Sequence, residues 1–302
     1  MPERRALAVW VAGARPRTLP AAVVPVLVGT AAAAGVDGGG WSGGVIWWRA
    51  AAAMVVALAI QVGTNYANDY ADGLRGADSA DRVGPQRLVG SGLASPGAVR
   101  RAAIASFAVA ALAGLALAIA VGPELVVVGA ASFAAGWLYT GGPRPYGYAG
   151  LGEVFVFVFF GLVATVGSTY VQVEQITALS VAAAVPVGLW ATALLVVNNL
   201  RDIPSDRAVG KRTLAVRLGD RRTRLVYGAL VVGALALGPV VAFAGGRPVA
   251  ALSLLAAPVA APPLRAVLGG ADGHALVPPL VGTGRAQLVF GLLFAVGLFV
   301  SG

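Results

Sequence analysis

The chain has 302 residues, with no cysteine, one histidine and only 13 acidic residues. Lack of cysteine excludes disulfides and thiolate metal centres, and a lone histidine excludes any multi-histidine metal site. His274 therefore reads as an ordinary loop residue. Charged residues are also scarce: 12% of the chain, against roughly 25% in a soluble domain. Hydrophobic residues make up 58%, and mean hydropathy is +0.81. These values place the chain among polytopic membrane proteins. No cleavable signal segment is evident, because Arg4-Arg5 precedes only a short apolar run, Ala6 to Ala12. Residues 3–17 read instead as a basic segment lying on the membrane face, with Trp10 at headgroup level.

A membrane helix needs about 20 mostly apolar residues. Nine candidates fit: roughly 19–35, 45–67, 102–121, 124–141, 151–170, 176–199, 224–244, 248–268 and 285–301. The expected fold is thus all-α, a polytopic membrane bundle of about nine transmembrane helices forming one domain over 1–302. With the N-terminus in the cytoplasm, the inside loops hold 20 of the 22 Lys and Arg; only Arg49 and Arg247 fall outside. That asymmetry sets the sidedness at a plasma membrane. It also accounts for the net charge of +9 without any nucleic-acid partner. Nothing in the sequence sets an oligomeric state.

The few acids are not scattered. Asp69, Asp72, Asp78, Asp81, Asp202 and Asp206 fall in or just after two short stretches, each at the inner end of an apolar run. A carboxylate in a membrane helix costs about 2.5–3.5 kcal/mol at mid-bilayer and less near the interface. Asn65, Asn68, Asp69 and Asp72 are three or four residues apart and share one helix face. Asn198, Asp202 and Asp206 do the same if their helix continues, although Pro204 is expected to kink or end it. Gly73 and Gly76 are expected to end the first helix, leaving Asp78 and Asp81 on a loop that folds back. One such cluster reads equally well as capping chemistry. Two at one membrane face read as a shared polar site.

Carboxylates and carboxamides without His or Cys form a hard oxygen set, suited to magnesium, with manganese as second choice. Magnesium is commonly held by a few carboxylates plus substrate phosphate oxygens. The cations nearby in sequence, Arg82, Arg87, Arg144, Arg201, Lys211 and Arg212, fit a phosphate-bearing ligand. A third informative stretch is Gly136 to Tyr148, in which Tyr139, Tyr146 and Tyr148 fit either a substrate wall or an interfacial belt. The run Phe155, Phe157, Phe159, Phe160 reads as lipid-facing or packed core.

Together these motifs resemble the UbiA superfamily of intramembrane prenyltransferases. The resemblance rests on Asn68-Asp69-x-x-Asp72 with Asp78, and on Asp202-x-x-x-Asp206. It extends to Ala14-Arg15-Pro16-Arg17, Asp81-Arg82-Val83-Gly84-Pro85-Gln86-Arg87, Tyr139-Thr140-Gly141 and Gly210-Lys211-Arg212-Thr213-Leu214-Ala215-Val216, over most of the chain. One departure is Gly76, which stands where the wider family often has its third acid.

The resemblance implies two magnesium ions held by Asp69, Asp72, Asp78, Asp202 and Asp206. Asn65, Asn68, Asn198 and Asn199 would orient ligands, and Lys211, Arg144 and Arg82 would grip diphosphate oxygens. Tyr139 would face the allylic cation. The branch it most resembles moves a polyprenyl chain from polyprenyl diphosphate to 1,4-dihydroxy-2-naphthoate, losing carbon dioxide and diphosphate to form demethylmenaquinone, with the tail in membrane lipid. Other acceptors of this superfamily stay open: 4-hydroxybenzoate, homogentisate, haem or phosphoribose diphosphate. A secondary transporter is the alternative of another class.

Overall fold

Apolar segments in a bilayer find no water to bond their backbone, so they close their own hydrogen bonds as helices. A computed structural model describes residues 2–36, 43–76 and 87–302, with side chains from residue 7 onward. Among the described residues there is no strand. Seven helices among the described residues are long and apolar enough to cross a membrane: α3 (Trp47–Leu74), α4 (Pro96–Ala120), α6 (Gly152–Val173), α7 (Ala178–Ala208), α8 (Asp220–Ala244), α9 (Pro248–Leu268) and α10 (Gly273–Val300). Two shorter apolar helices, α2 (Pro20–Ala32) and α5 (Glu124–Leu138), fill the remaining positions that hydropathy assigns. The surface helix α1 (Pro2–Ala14) precedes them.

Helix α7 is the centre. Its apolar window is 72% buried, against 22–33% for α3, α4, α6, α8 and α9. Trp190 on α7 is fully enclosed and meets Phe290 of α10 at 5.9 Å between ring centroids. Between helices in lipid there is little hydrophobic driving force, so small residues and close backbones do the packing. A Cβ on Gly161 would lie 2.6 Å from the Gly188 Cα, so α6 and α7 touch through two glycines. On the outer faces, Leu112, Ile119 and Val127 stay largely exposed, as lipid contact allows.

Helix α7 does not break at Pro204; it continues to Ala208. Pro204 sits on the exposed side of the helix, while Arg201, Asp202, Ile203 and Asp206 are buried against the bundle and hold the chain helical past the lost backbone bond. Asn198, Asp202 and Asp206 therefore share one face, as the continuous-helix reading requires. Helix α3 ends as the glycines predict, with Gly76 in the left-handed region at φ 67° just beyond the last turn. The two cations outside the basic loops tie helix ends together. Arg49 donates to the carbonyls of Val171 and Ala120, and Arg247 to those of Ala34 and Leu298. Near the C-terminal end of α3, α1 docks through Tyr66, whose hydroxyl donates to the Trp10 carbonyl at 2.8 Å.

Candidate functional site

The last turns of α3 carry Asn65, Asn68, Asp69 and Asp72, all buried. Asn65, Asn68 and Asp72 line a common cavity, whereas Asp69 does not. The two Asp69 carboxylate oxygens accept the backbone N–H groups of Leu88 and Val89, both at 2.9 Å. Gly73 makes that docking possible, because a Cβ there would stand 2.5 Å from Val89 Cγ1. Asp69 thus ties the returning loop to α3, a capping role for a residue the motif also marks as a metal ligand.

On α7, Asp202 receives a bidentate pair from Arg201, with Nε 2.8 Å from Oδ1 and Nη2 2.9 Å from Oδ2. The same Nη2 donates to Asn198 Oδ1 at 2.9 Å, so one guanidinium holds two motif side chains. Past α7 the chain turns at Gly210, φ 73°, and the Lys211 N–H bonds back to the Asp206 carbonyl at 2.8 Å. That turn aims the Lys211 ammonium inward. Its Nζ lies 3.7 Å from Asp72 Oδ2 and 3.6 Å from Asp206 Oδ1. One cation therefore joins the two motifs, which are more than a hundred residues apart in sequence. Arg87 adds a second cation, 3.7 Å from Asp72 Oδ2.

The loop between α5 and α6 covers this cluster. Thr140 donates to Asn68 Oδ1 at 2.7 Å, and the Tyr148 hydroxyl to Asp72 Oδ1 at 3.0 Å. Arg75 binds the carbonyls of Thr140 and Gly142 and lies 5.3 Å over the Tyr148 ring. Lys211 sits 5.2 Å from the same ring. Burial first, and the Asp72 charge second, push the Tyr148 phenol above its ordinary range, so it stays a donor. Arg144 lies exposed on this loop and does not line the cavity. Asp78, Asp81 and Arg82 lie outside the described residues.

The cavity measures about 1020 Å³. Its polar end carries Asn68, Asp72, Arg87, Asn198, Asp202 and Lys211, with Asn65, Asn199 and Tyr139 nearby on the wall. The rest is apolar. Phe155, Phe159 and Phe160 line it, contrary to the lipid-or-core expectation for that run. A turn of π-helix, Phe157–Val163, re-aims these rings, while Phe157 packs against Gly188.

The donor set can be tested against a divalent cation. Its oxygens are hard, buried and now balanced by Lys211, Arg87 and Arg201, cations standing where positive charge is demanded. Among the described residues no three His, Cys, Asp or Glu converge into a ready-made cage. That fits magnesium, which binds through one or two carboxylates and completes its shell with phosphate oxygens and water.

Spacing alone did not find three residues at this site. Arg75 adjoins the first motif but acts on a distant loop. Tyr148 fits wall or belt by sequence, and its hydroxyl bond to Asp72 brings it to the site. Glu153, buried, accepts from Asn199 Nδ2 at 3.0 Å. An acid inside an apolar run is costly, and that cost was the signal for Glu153.

These features define an integral membrane protein of a particular class: a helical bundle in which two Asn/Asp motifs and their cations close the polar end of a cavity with greasy walls. The chain belongs to the UbiA prenyltransferase family, whose model matches residues 22–271. It is 50% identical over 289 residues to a 1,4-dihydroxy-2-naphthoate octaprenyltransferase of Mycobacterium tuberculosis, covering 96% of each chain. It is 38% identical to the protein of the same name from Escherichia coli, covering 97% of this chain and 95% of that one. A UbiA homologue from Archaeoglobus fulgidus, solved with GPP and Mg2+, shares the fold at 15% identity, with TM-score 0.68 over 97% of this chain and 100% of the other.

Proposed function

We propose that this protein transfers a polyprenyl chain from polyprenyl diphosphate to 1,4-dihydroxy-2-naphthoate. The observation carrying this reading is the Lys211 bridge, which joins Asp72, at the polar end of a largely apolar cavity, to Asp206, which does not itself line that cavity. An amphiphile with a highly charged head and a hydrocarbon tail matches that division of surfaces. The names of the relatives in Mycobacterium tuberculosis and Escherichia coli support naphthoate as acceptor.

In this reading Asp72, Asp202 and Asp206, with Asn68 and Asn198, hold magnesium. The bound metal supplies neutralisation of the charge that grows on the leaving diphosphate. Lys211 and Arg87 turn from the carboxylates to the diphosphate's free oxygens, and Arg201 keeps Asp202 and Asn198 in place. The allylic C–O bond breaks with its electron pair going to diphosphate. The naphthoate carbon bearing the carboxylate bonds to the allylic carbon, and departure of carbon dioxide restores the aromatic ring. The immediate product is the quinol; its quinone, demethylmenaquinone, arises by a separate two-electron oxidation. Phe155 and Phe159 exclude water from the cation and offer it π faces, as Tyr139 does. The excess of Lys and Arg in the loops on this side supports a cytoplasmic position for the site and the N-terminus.

Purified protein in detergent, given labelled polyprenyl diphosphate, magnesium and a panel of aromatic acceptors, tests the proposal. Prenylated naphthoquinol, its quinone on air exposure, and stoichiometric carbon dioxide are expected, and EDTA abolishes all three. Transfer to another acceptor in preference to naphthoate, or turnover unaffected by EDTA, would overturn it.

A further inference from the structure

Glu153 lies at the start of α6, 6% exposed, inside a segment long and apolar enough to span the bilayer. Such a carboxylate is expensive to keep, and a buried acid kept for stability alone has both oxygens satisfied. Here Oε1 accepts from Asn199 Nδ2 at 3.0 Å, while Oε2 has no hydrogen-bond partner among the described residues. The arrangement has a directional consequence. Oε1 is the acceptor of this bond, so the amide of Asn199 turns its NH2 towards Glu153. Its carbonyl oxygen Oδ1 must then point the other way. Asn199 lines the cavity, as does Tyr139, whose ring packs where a Cβ on Gly152 would meet Cε2 at 3.1 Å.

We propose that Glu153 is a positioning residue that fixes the Asn199 amide so that a lone acceptor oxygen faces the cavity and selects an aromatic substrate through its hydroxyl group. This rests on the prenyl-transfer reading above and deepens it. Without Glu153, the Asn199 amide is free to flip and present its NH2, which accepts nothing; a hydroxyl then meets it only through its own oxygen, in a different orientation. Aromatic rings lacking a free hydroxyl gain nothing from this contact. The diphosphate end, gripped by Lys211 and Arg87 on other elements, is untouched.

Steady-state kinetics on the full-length protein in detergent separate the two substrates. Glu153→Leu is expected to raise KM for 1,4-dihydroxy-2-naphthoate about tenfold, the size of one lost hydrogen bond, with KM for polyprenyl diphosphate within about twofold of the parent. Glu153→Gln, whose Oε1 still accepts from Asn199, stays within about threefold of the parent. Asn199→Ala gives the same acceptor defect, and adding Glu153→Leu to it makes no further difference. Equal rises in both KM values, or losses that multiply in the double variant, would overturn the assignment.

Should Glu153→Leu fail to accumulate, an exchanged pair decides. Asn199→Asp alone opposes two carboxyl groups and loses acceptor affinity. Adding Glu153→Gln supplies an amide donor, leaves a carboxylate oxygen facing the cavity, and restores that affinity; no restoration would reject the idea. An unmodified protein that fails to prenylate naphthoate refutes the function itself, whereas normal turnover with an unmoved acceptor KM refutes only the role of Glu153.

Discussion

Lys211→Met is the sharpest perturbation of the site. The thioether keeps much of the lysine stem's bulk but removes an ammonium lying 3.7 Å from Asp72 and 3.6 Å from Asp206. At an effective dielectric of about 20, each contact is worth roughly 4–5 kcal/mol before desolvation is counted. Desolvation takes back much of that, and breaking a buried pair by deleting one partner costs about 3–5 kcal/mol. Asp72 retains Arg87 and Tyr148, so the loss is expected towards the low end. Two readouts follow. In EDTA the melting temperature of the variant falls by several degrees, and magnesium with prenyl diphosphate restores more of it than in the parent, because a divalent ion replaces the missing charge. In kinetics, KM for polyprenyl diphosphate rises about 10- to 100-fold, the range of a charge-assisted hydrogen bond of about 1.5–3 kcal/mol, while KM for naphthoate stays within twofold. A variant whose naphthoate KM rises instead, or whose stability ignores magnesium, would refute the diphosphate-gripping role.

Asp69→Ala removes both acceptors of the Leu88 and Val89 amides, so it should lower the melting temperature more than Asp72→Ala does; the reverse order in detergent melts would show that the cap contributes little. Tyr148→Phe keeps the ring beside Arg75 and Lys211 but loses the bond to Asp72, and kcat/KM should drop about tenfold. The folded-state phenol ionises above its unfolded value, so its stabilisation is complete below about pH 10 and fades only as pH rises beyond that. The melting gap between Tyr148→Phe and parent should therefore be constant from pH 7 to about 9.5, and a gap that closes within that range contradicts the assignment. Arg144→Ala, on an exposed loop position, should leave both KM values within about twofold.

Hydropathy carried the helical order, because a bilayer leaves the backbone few alternatives. The spacing of Asn198, Asp202 and Asp206 carried their common face, yet Pro204 argued for a break that local rules alone could not dismiss. Only the packing of Arg201, Asp202, Ile203 and Asp206 against the bundle, with Pro204 left on the exposed side, decides that point. Asp69 shows the opposite limit. Its motif marks it as a ligand, and its oxygens also accept amides 19 and 20 residues further on, a pairing with no local signature. Glu153 and Asn199 pair across 46 residues, equally invisible to spacing. The Phe155 run was misjudged because hydrophobicity cannot tell a lipid-facing ring from one lining a greasy cavity, and the π-helical turn that re-aims it has no clear sequence mark.

Leu115, Val126 and Val128 line the cavity and are also 40–54% exposed on the outer faces of α4 and α5. The chamber thus opens sideways into hydrocarbon. Prenyl donors would arrive by lateral diffusion within a leaflet, and their effective dose is a mole fraction of the surrounding amphiphile, not a molarity in buffer. Diluting micelles or vesicles with inert lipid at fixed bulk substrate should then slow turnover by the dilution factor.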